Sequence, residues 1–282
     1  MDNPLGIYEK ALFGQPLQKK MEDAARAGYD CFEISIDETN ERLRRLDWKA
    51  REFEFYRKAA DDIGIRLFSV CLSAHRRFSL GSADGEIERE ARRILQAGIR
   101  FCSKLGVRVL QIAGYDVFYE PSTQDTGKRY LENLRRGAEL AAGEGVMLAL
   151  EPVEKHVISV KKAMQIAEEV DSPWLIVYPD VANLFTMGFD PAEELALAKH
   201  RIAAVHMREA PDDAFLPFGT GELDFQHIFQ TLSDADFYGP LVVELWNENN
   251  PDYMKIITDA KDFLEKEMLK ISGGGNDTCM ND

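Results

Sequence analysis

The feature that most restricts how this chain can fold is a short apolar run that stops on an acid. Val146-Met147-Leu148-Ala149-Leu150 is followed directly by Glu151 and Pro152. A run this short is no typical helix and reads as a strand buried on both faces. Three later segments repeat the grammar: Trp174 to Tyr178 runs into Pro179-Asp180, Ile202 to Val205 into His206, and Leu241 to Val243 into Glu244. Strands buried on both faces belong to parallel sheets, and in a closed parallel barrel all C-terminal strand ends share one mouth. In that arrangement Glu151, Asp180, His206 and Glu244 converge.

The rest of the chain supplies the other staves. Leu5 to Tyr8, Tyr29 to Ile36, Arg66 to Leu72 and Val107 to Ala113 read as four earlier strands. Helical spacing fills the intervals: about Gln15 to Ala27, a segment capped by Asp47 that runs to Gly64, Glu86 to Leu105, Gln124 to Ala142 and Ile158 to Val170. Asp190-Pro191 and Asp224 open two more helices, and a last one spans about Asp252 to Met268. About eight strand–helix units at intervals of roughly 30 to 40 residues predict an α/β fold of the (β/α)8 TIM-barrel type. A doubly wound open sheet competes, but it would gather the polar residues at one switch point rather than after many strands.

A chain of 282 residues that is 45% hydrophobic can bury one large core, so residues 1–270 are expected to form a single barrel domain. Residues 271–282 carry Gly-Gly-Gly among polar residues and are expected to be a disordered tail. The formal charge of -15 argues against a nucleic-acid partner, which needs a basic footprint. Cys31, Cys71, Cys102 and Cys279 form no CxxC pair and read as small hydrophobes in a reducing compartment. No apolar run approaches the ~18 residues of a membrane span, and no signal core follows the N-terminus. The expectation is a soluble cytoplasmic protein without a membrane partner.

Three carboxylates and one imidazole gathered in a barrel mouth call for a compensating charge, and a divalent cation supplies it. The mixed oxygen and nitrogen donors suit Mn²⁺, Co²⁺ or Zn²⁺. With such a cation beside a ketone and its neighbouring hydroxyl, the carbon-bound proton between them becomes acidic and the resulting enediolate is stabilised. Glu151 and Glu244, roughly a third of the barrel circumference apart, are the candidate acid–base pair on opposite faces of that carbon, which predicts epimerisation. Asp180 and His206 lie between them as plain ligands. A single base would instead favour an aldose–ketose isomerase, for example on a hexulose 6-phosphate. After the third strand, Ser73, His75, Arg76 and Arg77 bring hydroxyl, imidazole and guanidinium donors together, a set that matches a phosphate dianion, and Lys10 after the first strand adds to it. Asn183 and Arg208 follow ligands closely enough to hold substrate hydroxyls.

Over roughly residues 4 to 268 the chain resembles the L-ribulose-5-phosphate 3-epimerases, also described as L-xylulose-5-phosphate 3-epimerases, within the xylose isomerase-like barrels. The stretches that carry the resemblance are Gly6-Ile7-Tyr8-Glu9-Lys10-Ala11-Leu12, Asp37-Glu38 with Glu41-Arg42-Leu43 and Leu46-Asp47-Trp48, Ser73-Ala74-His75-Arg76-Arg77-Phe78, Ala113-Gly114-Tyr115-Asp116-Val117, Tyr178-Pro179-Asp180 and Pro217-Phe218-Gly219. The resemblance implies a homo-oligomer, dimer or tetramer, that inverts C3 of a phosphorylated L-ketopentose. It also implies a metal on residues matching Glu151, Asp180, His206 and Glu244, and phosphate held by the loops after strands one and three. Rival readings are a keto-sugar phosphate isomerase and a barrel that binds sugar phosphate without turnover. A related metal-dependent DNA-repair nuclease is disfavoured by only five histidines in an acidic chain.

Overall fold

The computed structural model describes residues 1–198, 200–211 and 216–273. Among the described residues eight strands form one sheet: β1 (Leu5–Tyr8), β2 (Cys31–Ile36), β3 (Arg66–Leu72), β4 (Val109–Ala113), β5 (Met147–Glu151), β6 (Leu175–Val177), β7 (Val205–Met207) and β8 (Leu241–Val243). Their order is β6-β5-β4-β3-β2-β1-β8-β7, and every named pairing is parallel. The ring closes between β6 and β7 through two single bridges, Val177 to Ile202 and Asp180 to His206. Closure therefore runs through two of the expected ligands.

The outer layer comprises α1 (Leu17–Arg26), α2 (Asn40–Leu43), α3 (Ala50–Ile63), α4 (Gly85–Leu105), α5 (Gln124–Glu144), α6 (Val160–Val170), α7 (Val181–Thr186), α8 (Pro191–Ala198), α9 (Phe225–Asp234) and α10 (Tyr253–Gly273). Their apolar faces have helical spacing: α5 buries Tyr130, Leu134, Ala138 and Ala141 against the sheet side. Their ends are set by local chemistry. Asp84 accepts from the N–H groups of Glu86 and Ile87 to start α4, and Gly106 at φ 82° ends it in a conformation that side chains with a Cβ rarely adopt. Inside the ring a smaller cluster of Tyr8, Cys71, Val109, Ala149, Tyr178, Ala204 and Val242 fills the barrel, so it is a packed core with a mouth rather than a pore.

Several expected boundaries are corrected. Asp47 does not cap α3; it ends a 3-10 turn over Arg44–Asp47, and α3 begins at Ala50 with the Lys49 N–H donating to Glu52 Oε2 at 2.8 Å. The stretch before it is not a bare loop, because Arg42 and Arg45 are drawn inward onto the buried Glu9 carboxylate. A short helix also escaped the sequence reading: α7 starts directly after Asp180, whose Oδ1 accepts from the Asn183 N–H at 2.7 Å. Helix α10 continues to Gly273, past the expected tail boundary at residue 271. The remainder of that tail, residues 274–282 with Cys279, lies outside the described residues. Cys31, Cys71 and Cys102 are buried and free, as expected of core hydrophobes.

Candidate metal centre and substrate cavity

Glu151 is the last residue of β5, Asp180 caps α7 just after β6, His206 is the middle residue of β7 and Glu244 follows β8. The structure brings all four together. One donor atom from each lies within 4.8 Å of the others, and all four side chains are buried. His206 Nδ1 faces this group, 3.4 Å from Glu151 Oε1 and 3.5 Å from Glu244 Oε2. Its Nε2 points the other way, 2.7 Å from Glu33 Oε1.

The electrostatics follow from crowding acids in a dry place. Burial raises the proton affinity of Glu151, which Asp180 and Glu33 reinforce, and it lifts Glu244 well above the usual carboxylate range, with Asp180 and Glu151 adding to the effect. Burial acts on Asp180 in the same sense but is outweighed, chiefly by the Arg208 guanidinium, so its carboxyl is held below its ordinary range. Burial alone would depress His206, yet Glu244 and Glu33 raise it well above its ordinary value. Two of the three carboxylates thus hold protons more tightly than usual. Three oxygen donors and one imidazole nitrogen converging in a buried site fit a divalent cation of the transition-metal or zinc type. Glu151, Asp180, His206 and Glu244 are the residues that would hold it.

Neighbouring side chains brace these groups. The Gln111 amide donates to Glu151 Oε2 in a close contact, and Asn183 Nδ2 donates to Glu151 Oε1 at 3.3 Å. Arg208 Nε donates to Asp180 Oδ2 at 2.9 Å and its Nη2 to Asn183 Oδ1 at 2.5 Å, while its guanidinium lies over the Trp246 ring. Asn183 and Arg208 therefore tie two of the candidate ligands together and also line the cavity above them.

That cavity measures about 370 Å³. Glu151 and Glu244 open onto it from the β5–β8 side, and Lys10, Ser73 and Arg76 line it from the loops after β1 and β3. Lys10 Nζ pairs with Asp37 at 2.7 Å, and the Arg76 guanidinium lies over Phe118. The other two expected phosphate donors are not brought there, which corrects the sequence reading. His75 is buried, with Nε2 3.2 Å from the Ala91 carbonyl in α4, and burial presses its pKa down to about 4. Arg77 turns outward and donates to Asn40 Oδ1 at 3.0 Å. The reason is the 3-10 turn over Ser73–Arg76: residues three apart eclipse in such a turn, so Ser73 and Arg76 share the cavity side while His75, about a third of a turn away, is directed at α4.

Sequence reasoning left Glu33 open, inward or outward with the strand register, and missed Gln111 as part of the site. A carboxylate inside the fully buried strand Cys31–Ile36 was a signal, but which face it takes depends on register. Gln111, in the buried strand β4, gave a similar but weaker one.

Residues 21–267 match the family described as xylose isomerase-like TIM barrel. The L-ribulose-5-phosphate 3-epimerases UlaE of Escherichia coli and Shigella sonnei are each 37% identical to the chain over 271 residues, covering 95% of both partners. Among solved structures, an L-ribulose 3-epimerase superposes with a TM-score of 0.79 at 20% identity, over 96% of each chain. A D-psicose 3-epimerase gives 0.80 at 16% identity, over 96% of this chain and 100% of the other. At these identities the two structures speak for the fold alone, whereas the sequence relatives reach further. The chain is an isomerase of the epimerase type and belongs to the L-ribulose-5-phosphate 3-epimerase family of xylose isomerase-like TIM barrels.

Proposed function

We propose that this enzyme interconverts L-ribulose 5-phosphate and L-xylulose 5-phosphate by inverting C3, using a divalent cation, Zn²⁺, Mn²⁺ or Co²⁺, on Glu151, Asp180, His206 and Glu244. The observation that carries the reading is the division of the cavity mouth: an acidic half from β5 to β8, and a cationic half, Lys10 and Arg76 with the Ser73 hydroxyl, after β1 and β3. A phosphate on the cationic side would leave the sugar's carbonyl end over the carboxylates. When bound, the cation would polarise the ketone and favour loss of the neighbouring carbon-bound proton.

The chain's own part is proton traffic. Glu151 and Glu244 come from strands separated by β6 and β7, and burial raises the proton affinity of both. Carboxylates reaching the bound sugar from two separate strand ends are placed to take a proton from carbon and to give one back. One of the pair removes the C3 proton, and the other delivers one to the opposite face. Asn183 and Arg208 orient the substrate hydroxyls, and Lys10, Ser73 and Arg76 hold the phosphate. The proposal includes a cytoplasmic setting and a homo-oligomer, dimer or tetramer; among the described residues no helix is long and apolar enough to cross a membrane.

The deciding experiment is turnover in D₂O with L-ribulose 5-phosphate. Deuterium should enter C3 of substrate and product, and Glu151→Gln or Glu244→Gln should slow this by about 10²–10⁴-fold. Label at C1 would instead identify an aldose–ketose isomerase. Tight binding without exchange would identify a non-catalytic binding barrel.

A further inference from the structure

The buried carboxylate of Glu33 has no place in the chemistry above, yet the fold goes out of its way to position it. Glu33 lies on β2 and His206 on β7, and β1 and β8 stand between those strands. The contact from Glu33 Oε1 to His206 Nε2, 2.7 Å, therefore crosses the barrel interior, with neither side chain exposed. The other carboxylate oxygen, Oε2, accepts from Ser69 Oγ at 2.6 Å. This second bond depends on an irregularity in the sheet. The β2–β3 ladder sets Cys31 opposite Arg66 and Phe32 opposite Leu67, then steps to Glu33 opposite Ser69, skipping Phe68. In unbroken register Phe68, not Ser69, would stand opposite Glu33. Such steps disrupt pairing locally and recur beside active sites, where they re-aim a side chain. The Tyr178 ring packs against the imidazole with centroids 4.5 Å apart, so His206 is confined from a second side.

We infer that Glu33 is a positioning residue for the metal centre: it accepts the Nε2–H of His206, holds the ring so that the Nδ1 lone pair faces the other three ligands, and is itself fixed by Ser69 through the register step. A carboxylate behind a metal-binding histidine fixes its tautomer and orientation and makes its other nitrogen a better donor, and losing such a partner commonly weakens metal binding 10- to 100-fold. The competing description is a buried polar pair that only supports the barrel.

The inference rests on the metal reading of the four-residue cluster, and the test separates the two. Full-length protein is stripped of metal, and Mn²⁺ and Zn²⁺ binding is measured by calorimetry and chelator competition for wild type, Glu33→Gln and Ser69→Ala, alongside the thermal midpoint of each metal-free protein. The expected result is a metal Kd weakened about 10- to 100-fold in Glu33→Gln and weakened in the same direction, by less, in Ser69→Ala. A lowered midpoint with an unchanged Kd in the folded protein would overturn the positioning role and leave a purely structural pair. Should Glu33→Gln fail to fold, Ser69→Ala decides alone, and an unchanged Kd there overturns the inference. Wild-type protein that binds neither ion would remove the metal reading itself.

Discussion

His75 and Arg76 are adjacent, and their fates differ because a 3-10 turn sets successive side chains about a third of a turn apart. Arg76 faces the cavity. Its replacement by alanine should weaken phosphorylated ketoses relative to unphosphorylated ones, by about 1.5–3 kcal/mol for a lost charged hydrogen bond, read as the ratio of kcat/KM values. His75→Asn should leave that ratio alone and act on acid stability. Burial lowers the folded-state pKa of His75 from 6.5 to about 4, so below 6.5 the unfolded chain takes up a proton that the folded chain refuses. The stabilisation is complete above pH 6.5 and disappears as pH falls toward 4, an effect of about 3 kcal/mol. Urea titrations from pH 4 to 7 should show this slope in wild type and its loss in the variant. The same contrast marks what single residues reveal in a sequence. Glu151, Asp180, His206 and Glu244 were legible because each terminates or closely follows an apolar run. His75 and Glu33 were not, because a turn type decides the first and a skipped residue in a neighbouring strand decides the second.

Most elements could be read from periodicity and their stops: β3 and the C-terminal ends of α3 and α4 lie where the apolar spacing and the glycines put them. What could not be read were the pieces whose conformation is imposed by something distant, such as α2 and its following turn, which fold over Glu9, and α7, which starts on the candidate ligand Asp180. The element most exposed to local damage is the seam between β4 and β5. The Gly114 N–H donates to the Glu151 carbonyl at 2.9 Å, and a Cβ on Gly114 would stand 2.6 Å from that oxygen and 2.6 Å from Val157 Cβ. Backbone cannot step aside as a flexible side chain can, so Gly114→Ala must spread the two strand ends and carry Glu151 with them. The expected cost is about 1–3 kcal/mol, roughly 2–4 °C in Tm per kcal/mol for a chain of this order of size, together with weaker metal binding. Gly143, inside α5, has nothing within 4 Å of an added Cβ. Gly143→Ala should raise stability by up to about 1 kcal/mol and leave metal binding untouched. Calorimetry on both variants tests the opposite signs together.

At the scale of the whole molecule, the repeat of strand and helix announced the barrel, but not how its mouth is tied. The tie is Glu9, buried just after β1. Arg45 grips both carboxylate oxygens, Arg42 Nη1 lies 2.8 Å from Oε1, and the buried Lys20 ammonium stands 3.5 Å away. Arg42 and Lys20 also reach Glu248, and the Asn247 N–H donates to the Lys10 carbonyl at 2.8 Å. Glu9 thus pins the loops after β1 and β2, and its cations extend the tie to the loop after β8 through Glu248, next to the segment that presents Lys10 to the cavity. Burial would raise its pKa, but Arg45, Arg42 and Lys20 overcome this and draw it from 4.5 down to about 2. The folded state therefore keeps Glu9 ionised where the unfolded chain protonates it. Its contribution, about 3 kcal/mol from the shift, is fully present above pH 4.5 and drains away as pH falls toward 2. Glu9→Gln keeps the shape but leaves buried cations without their partner, which should cost about 3–5 kcal/mol near neutrality and flatten the response between pH 4.5 and 2. If the three loops are held as one unit, amide exchange in residues 9–14, 37–47 and 247–250 should accelerate together in Glu9→Gln, ahead of the strands. Faster exchange in the first of these segments alone would mean that Glu9 steadies only its own loop, and that the mouth is held by contacts other than this charge cluster.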